Sequence, residues 1–172
     1  MICAQVRIGG KTRHGAHDHQ FMLSEHLDHW WQFINQTFVS KFKDQSEYSV
    51  FITSDFSDTH SKAAKFFGEN ITFNYGDSSV HVDRDGGGCN EVTEKVFLDF
   101  YTLGYCDMTL TSRSGYGMLG TFNRPDPFKD YYIYSHKPLY EKLVTVPGTE
   151  YSIIRFDKCY LDFYSYCGNE YQ

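Results

Sequence analysis

The residues best suited to chemistry in this chain are those that could hold a phosphate group, and the first of them is an arginine. Arg7 ends a mostly apolar run that includes Gln5, and Gly9 and Gly10 follow it. A guanidinium stays charged and can donate two hydrogen bonds to the oxygens of a phosphate. Glycine has no side chain and lets a ligand approach the backbone closely. Arg7 is therefore a candidate anion ligand, the alternative being an ion pair with a surface carboxylate.

A second candidate for anion binding is the segment 112–117, which reads SRSGYG and follows an apolar run. Backbone N–H groups at a glycine-containing turn, backed by a helix N-terminus, suit a phosphate group. Ser112 and Ser114 add hydroxyls, and Arg113 adds a second cation. The alternative is an ordinary strand-to-helix turn, but a turn of this kind after a strand in an α/β pattern is typical of a ligand site.

Asp99 is predicted to lie on a helix, and its neighbours Phe97, Leu98, Phe100 and Tyr101 are apolar or aromatic. Helix carboxylates are usually solvated, whereas a partly buried one needs a hydrogen-bond donor as its partner. The ring N–H and amino groups of a purine base are one candidate, and a nearby arginine is another.

Two further acidic positions lie close to the predicted site. The segment 14–19 reads HGAHDH, and it has three interpretations. It is a solvated loop, a metal site, or a loop that supplies a general base beside Arg7. Asp18 is our choice for that base. Asp55 falls at the end of another predicted strand, where it either lines the same crevice or serves as a turn residue.

These candidates are positioned by a predicted alternation of strands and helices. We predict strands at 2–8, 48–53, 71–75, 108–111 and 130–134, and helices at 28–42, at 93–103 and from Ser57 or Asp58 to Gly68. Such alternation implies an α/β fold with a parallel sheet flanked by helices. We expect one domain at 1–136, with 130–134 as the last strand, and an aromatic extension at 137–172 packed on it.

Composition narrows the classes of partner. The 172 residues carry a net charge of −6, which argues against a nucleic acid or an anionic membrane surface, because both need a basic face. No run reaches the roughly 20 apolar residues that cross a bilayer, and the first residues turn polar at once. We therefore expect neither a membrane segment nor a signal peptide in this chain.

The cysteines and two glycosylation sequons bear on the compartment. Cys3 and Cys106 lie in apolar segments and are expected to be packed thiols. Cys159 and Cys167 can pair with each other, or Cys89 can pair with one of them. The sequons are NQT at 35–37 and NIT at 70–72. Together these features favour a secretory lumen.

Three segments carry a resemblance to a known family. QVRIGG from residue 5, ITSD from residue 52 and FLDFYTLGYCDMTLTSRSGYG from residue 97 resemble the donor-binding half of fucosyltransferases of the GT-B type. The resemblance spans roughly 2–134, which is most of the chain, and its last segment is the most specific. It implies a Rossmann-like domain that binds GDP-fucose for inverting transfer to a glycan acceptor without a metal, in the Golgi or the endoplasmic reticulum.

The resemblance also implies roles for individual residues. Arg7 matches the arginine that grips the diphosphate and neutralises charge as the nucleotide leaves, and Asp99 matches the residue that recognises guanine. Ser114, Gly115 and Tyr116 match the turn that contacts phosphate and nucleoside. Gln5 stands where many relatives have histidine, and Ile8 where many have a second arginine, for which Arg113 or Arg13 can compensate.

The chain length departs from the family pattern, because GT-B enzymes use two Rossmann-like domains and 172 residues provide only the donor half. We expect the N-terminal acceptor domain, and the usual anchor and stem, to be missing from this chain. One alternative is a non-catalytic domain that binds a nucleotide sugar or a carbohydrate. Another is a structural or metal-binding domain that shares only the fold.

Overall fold

The computed structural model describes residues 1–9, 22–76, 90–135, 144–145 and 152–155. The strands are β1 (Ile2–Val6), β2 (Val50–Ser54), β3 (Thr72–Phe73), β4 (Met108–Ser112), β5 (Tyr131–Ser135), β6 (Val144–Thr145) and β7 (Ser152–Arg155). The helices are α1 (Leu27–Thr37), α2 (Asp58–Phe67), α3 (Asn90–Leu103) and α4 (Gly115–Thr121). Strands and helices alternate along the chain from β1 to β5.

These strands form one sheet in the order β3-β2-β1-β4-β5-β7-β6. The first five pair in parallel, which is the strand order of a Rossmann-like sheet whose direction of winding reverses between β1 and β4. The predicted α/β fold, with a parallel sheet flanked by helices, is confirmed. The prediction that 130–134 is the last strand is wrong, because β7 pairs antiparallel with β5 and continues the sheet to β6.

The two faces of the sheet differ in what covers them. Ile2, Ala4 and Val6 alternate with Cys3 and Gln5 along β1, so the two sets point to opposite faces. The first set packs in the main core with side chains of α1 and α2. Cys3 packs instead with side chains of α3 and its following turn. All five residues of β1 are buried, as expected for the central strand of a parallel sheet.

The helix boundaries explain two details of the sequence pattern. The predicted helix at 28–42 is shorter in the structure, because α1 ends at Thr37 and a 3-10 turn at Val39–Lys41 follows. Gly68 ends α2 as predicted, with a φ of 115°. Side chains rarely tolerate that conformation, which accounts for glycine at this position.

Cys3 and Cys106 form a disulfide with their Cα atoms 5.9 Å apart, so the prediction of two packed thiols is wrong. The pair meets because Cys3 faces the side of the sheet that α3 covers, and Cys106 lies in the turn from α3 to β4. The same turn is held by the backbone, since the N–H of Asp107 donates to the carbonyl of Met1 at 2.9 Å. The start of β1 is thereby fixed to the end of α3.

Candidate functional site

The carboxyl ends of β1, β2 and β4 meet at one edge of the sheet and are joined by side-chain hydrogen bonds. The backbone N–H of Arg7 donates to Oγ of Ser112 at 2.7 Å. The N–H groups of Ile8 and Gly9 donate to the two carboxylate oxygens of Asp55 at 2.8 and 3.0 Å. The predicted arginine, the aspartate that follows β2 and the serine turn therefore lie side by side at the switch point of the sheet.

Asp55 fixes the end of β1, because each of its carboxylate oxygens accepts one of these backbone N–H groups. Those two amides therefore already bind an anion within the chain. Gly9 has a φ of 72°, a left-handed conformation that favours glycine. Asp55 thus holds the strand end beside Arg7, which fits the alternative of a turn residue, and a contact of Asp55 with a ligand stays a prediction.

The serine turn is mostly buried. Ser112 and Ser114 are both buried, while Arg113 is half-buried and Gly115 is exposed. Ser114 precedes α4 in an extended conformation and accepts, through its carbonyl, the N–H of Met118 at 3.0 Å. Ser112 is therefore bonded to the end of β1, and Ser114 begins the short helix that follows.

α4 approaches the sheet closely at Gly117. A Cβ at this position would overlap Oε1 of Gln5 and lie 3.1 Å from Cβ of Thr111. Gly120, one turn later, approaches α3 in the same way, since its Cβ would lie 2.8 Å from Cδ1 of Leu103. These two glycines let α4 pack against both β1 and α3.

A polar layer lies between the sheet and the helices α3 and α4. Gln5 is in register with Thr53 of β2 and with Thr111 of β4, so three polar side chains stand in a row on one face. All three are buried, and the hydroxyl of Thr111 is hydrogen-bonded to that of Tyr131 at 3.0 Å. Because buried polar groups are costly without partners, this row marks an unusual part of the core.

Asp99 of α3 lies against this row and is 4% exposed. Its Oδ2 accepts a hydrogen bond from Nζ of Lys95 at 2.5 Å and one from Oγ1 of Thr53 at 2.7 Å. Burial raises the pKa of Asp99 above its usual range, and the nearby charge of Lys95 and both hydrogen bonds offset part of that rise. Of the two readings that the sequence left open for this carboxylate, solvated or partly buried, the structure has the buried one.

Two buried acceptors in this layer lack a donor within the described part of the chain, namely Oδ1 of Asp99 and Oε1 of Gln5. Buried acceptors of this kind are rare in native proteins and call for an explanation. Gln5 neighbours Thr53 across the sheet, and Thr53 donates to Asp99. The two acceptors thus belong to one polar cluster at the carboxyl edge.

The sequence neighbours of Asp99 suggested an apolar surround for its carboxylate, and this expectation is wrong. Phe97, Leu98 and Tyr101 are exposed, because adjacent helix residues point in different directions and these lie on the outer side of α3. The cluster that surrounds the carboxylate comes from Thr53 and Lys95 instead. Sequence reasoning missed Lys95, although a lysine four residues before an aspartate on a helix is a recognisable pairing signal.

Tyr116 joins the two helices of this face. Its hydroxyl donates to the carbonyl of Val96 at 2.6 Å, and its ring lies 5.6 Å from that of Phe100. Burial, with a smaller contribution from the charge of Asp99, raises the pKa of Tyr116 above its usual range. The nucleoside contact predicted for Tyr116 is untested, and its hydroxyl is bonded to α3.

Several predicted residues lie outside the described part of the chain, namely Gly10, Asp18 and the whole histidine segment 14–19. Among the residues that are described, no group of three or more His, Cys, Asp or Glu side chains could hold a metal ion. In the same ranges, every helix is too short or too polar to cross a bilayer.

Comparisons of this chain with known protein families, with curated proteins and with solved structures found no match. The interpretation of the site therefore depends on the fold and on the polar cluster described above. They define an α/β protein with a Rossmann-like sheet and a set of candidate ligand-binding groups at its carboxyl edge.

Proposed function

We propose that this chain binds GDP-fucose at the carboxyl edge of its parallel sheet and is the donor-binding domain of an inverting fucosyltransferase. The observation that carries the proposal is the buried carboxylate of Asp99, with one oxygen unpartnered in the described part of the chain. It lies in the same polar layer as Gln5, and Gln5 is one residue before the end of β1 at Val6. Ligands of Rossmann-like sheets bind at this edge, beside the switch point.

Guanine is the base that suits the two acceptors of the cluster. Its ring N1–H and its exocyclic amino group are adjacent donors on one edge, whereas uracil offers only a ring N–H on the equivalent edge. Oδ1 of Asp99 and Oε1 of Gln5 are both covered in this structure. A base reaches them only when the covering groups move, so we expect binding to be accompanied by a local rearrangement.

The diphosphate of the donor is assigned to Arg7, with Arg113 as the second cation. The backbone amides of Ile8 and Gly9 are hydrogen-bonded to Asp55. Positive side chains must therefore neutralise most of the charge of the diphosphate. A fixed cation beside the leaving diphosphate stabilises the charge that develops during transfer. Asp18 remains the proposed general base, and a glycan remains the proposed acceptor.

The resemblance of the three segments supplies the finer parts of the proposal, which are the fucosyl group, the inverting course and transfer without a metal. The disulfide between Cys3 and Cys106 supports the assignment to an oxidising compartment such as the secretory lumen, since stable disulfides persist there. Both sequons fit the same compartment.

Calorimetric titration with GDP-fucose, GDP, ADP and UDP tests the proposal. We expect the guanine nucleotides to bind most tightly, and Arg7→Ala to weaken GDP binding by about tenfold to a hundredfold through the loss of a charge-assisted contact. Arg155→Ala is the matched control, because this exposed arginine lies on β7, opposite Tyr132 of β5. No preference for guanine, or equal losses in both variants, would contradict the proposal.

A non-catalytic nucleotide-sugar or carbohydrate binder is the alternative, and one observation favours it. Position 8, where the family commonly has a second arginine, is a buried isoleucine, so this part of the edge lacks that charge. Incubating the protein with GDP-fucose and a panel of glycan acceptors separates the two. Release of GDP with a fucosylated product supports the enzyme, while donor binding without product supports the binder.

A further inference from the structure

Lys95 and Asp99 form a buried ion pair one turn apart on α3. Their side chains are 9% and 5% exposed, and Nζ of Lys95 lies 2.5 Å from Oδ2 of Asp99. Removing two charges from water is unfavourable, and apolar residues often replace such a pair without loss of stability. Stability alone therefore does not explain the charges at these positions.

The two oxygens of Asp99 are used unequally. Lys95 and Thr53 both donate to Oδ2, while Oδ1 accepts no bond within the described part of the chain. Donors from two different elements, α3 and β2, thus hold the carboxyl group in one orientation. This arrangement fixes which oxygen faces away from them.

We infer that Lys95 is a positioning residue for base selection, holding Asp99 ionised and oriented so that Oδ1 accepts from the exocyclic amino group of a guanine base. The inference rests on the proposed function and adds to it a specificity-determining residue that the resemblance of the three segments does not imply. Lys95 acts through Asp99 and makes no contact with the ligand itself.

The charge of Lys95 matters because, within the described part of the chain, it is the positive charge that acts to lower the pKa of Asp99. From α4, Tyr116 faces the carboxylate and is neutral at ordinary pH, since its pKa is raised. Thr53 of β2 and Gln5 of β1 do not titrate. Without Lys95, burial favours the protonated carboxyl, which presents an O–H donor and loses acceptor capacity towards a base.

GDP and IDP are the probes that isolate this effect, because IDP lacks the exocyclic amino group. Their affinities are to be measured by calorimetry between pH 6 and pH 9 for the full chain and for Lys95→Met, Lys95→Arg and Lys62→Met. Lys62 is the control, since it is a half-buried lysine of α2 that donates only to the carbonyl of Ser24 in the described part of the chain.

We expect the unsubstituted chain and Lys62→Met to prefer GDP over IDP by about tenfold or more, as for a hydrogen bond to a charged group. In Lys95→Met the ratio of GDP affinity to IDP affinity falls towards one at pH 6. The ratio increases again as the pH rises and Asp99 ionises. Lys95→Arg keeps the positive charge and retains most of the preference. A lysine with only a structural role would lower both affinities alike and leave their ratio independent of pH.

Thr53→Val provides a second test in case Lys95→Met does not fold. It removes the other donor to Oδ2 with little change of shape, and we expect a several-fold fall in the GDP-to-IDP ratio. If the unsubstituted chain prefers GDP but Lys95→Met and Thr53→Val keep that preference at every pH, the inference alone is overturned. If the unsubstituted chain binds neither nucleotide, the proposed function fails and the inference fails with it.

Discussion

At the scale of single residues, the carboxylate of Asp99 is the most informative group in the molecule. It is buried at the carboxyl edge of the sheet, where one oxygen is bonded by Lys95 and Thr53. The sequence allowed a solvated or a partly buried carboxylate, and it predicted a hydrogen-bond donor as partner for the buried case. It did not predict the partners, because the aromatic neighbours suggested an apolar surround, whereas helix geometry turns Phe97 and Tyr101 outward.

The raised pKa of Asp99 predicts a pH dependence of stability. The folded chain holds this proton more tightly than the unfolded chain, in which the pKa is about 3.9. The stabilisation is therefore complete below that value and is lost as the pH rises through the raised folded pKa. The difference in unfolding free energy between the natural chain and Asp99→Asn should decrease as the pH is raised from about 4.

Urea denaturation at a series of pH values measures this difference, and Asp58→Asn serves as control because Asp58 is an exposed aspartate at the start of α2. The control should leave the pH profile of the natural chain nearly unchanged. An Asp99→Asn profile parallel to that of the natural chain would show that the carboxyl group titrates alike in both states.

At the scale of elements, close helix packing positions the polar layer. α4 lies against β1 and α3 through Gly117 and Gly120, and this contact covers Gln5. The strands and helices from β1 to β5 were predictable because their apolar residues follow the periods of strands and helices. β6 and β7 were missed because they are short and follow Pro138, where the pattern loosens.

Gly117→Ala is predicted to displace the side chain of Gln5. Alanine is favoured over glycine in a helix by about 1 kcal/mol, but overpacking of a buried site typically costs about 1–3 kcal/mol. Because Thr111 confines the same space, we expect a net loss of stability together with weaker GDP binding.

Gly115→Ala is the matched control for stability, since a Cβ at that position meets no atom within 4 Å. Thermal unfolding of both variants gives the comparison, and calorimetry with GDP compares Gly117→Ala with the natural chain. Equal stability of Gly117→Ala and Gly115→Ala would contradict the close packing described for α4.

At the scale of the whole molecule, the disulfide links the first strand to the turn after α3, and so joins the elements that carry Gln5 and Asp99. Its partners are 103 residues apart, which is why no local sequence pattern indicates it. Their apolar surroundings suggested packed thiols instead. The parallel sheet brings them together only once β1 and β4 are adjacent.

Removing this link should destabilise the chain strongly. Closing a loop of about 100 residues lowers the entropy of the unfolded chain, which corresponds to about 4–5 kcal/mol in the chain-entropy account. We expect Cys3→Ala/Cys106→Ala to unfold at a markedly lower urea concentration than the oxidised natural chain. A reductant should remove most of the difference, and equal midpoints without reductant would contradict a stabilising disulfide.

We propose that the Asp99 carboxylate selects guanine at the carboxyl edge of the sheet. The ratio of UDP to GDP dissociation constants tests this selection, measured by calorimetry for the natural chain and for Asp99→Asn at neutral pH. We expect a ratio well above one for the natural chain and a ratio near one for Asp99→Asn, with both proteins folded. A natural chain that binds the two nucleotides equally, or an Asp99→Asn variant that keeps the preference, would contradict it.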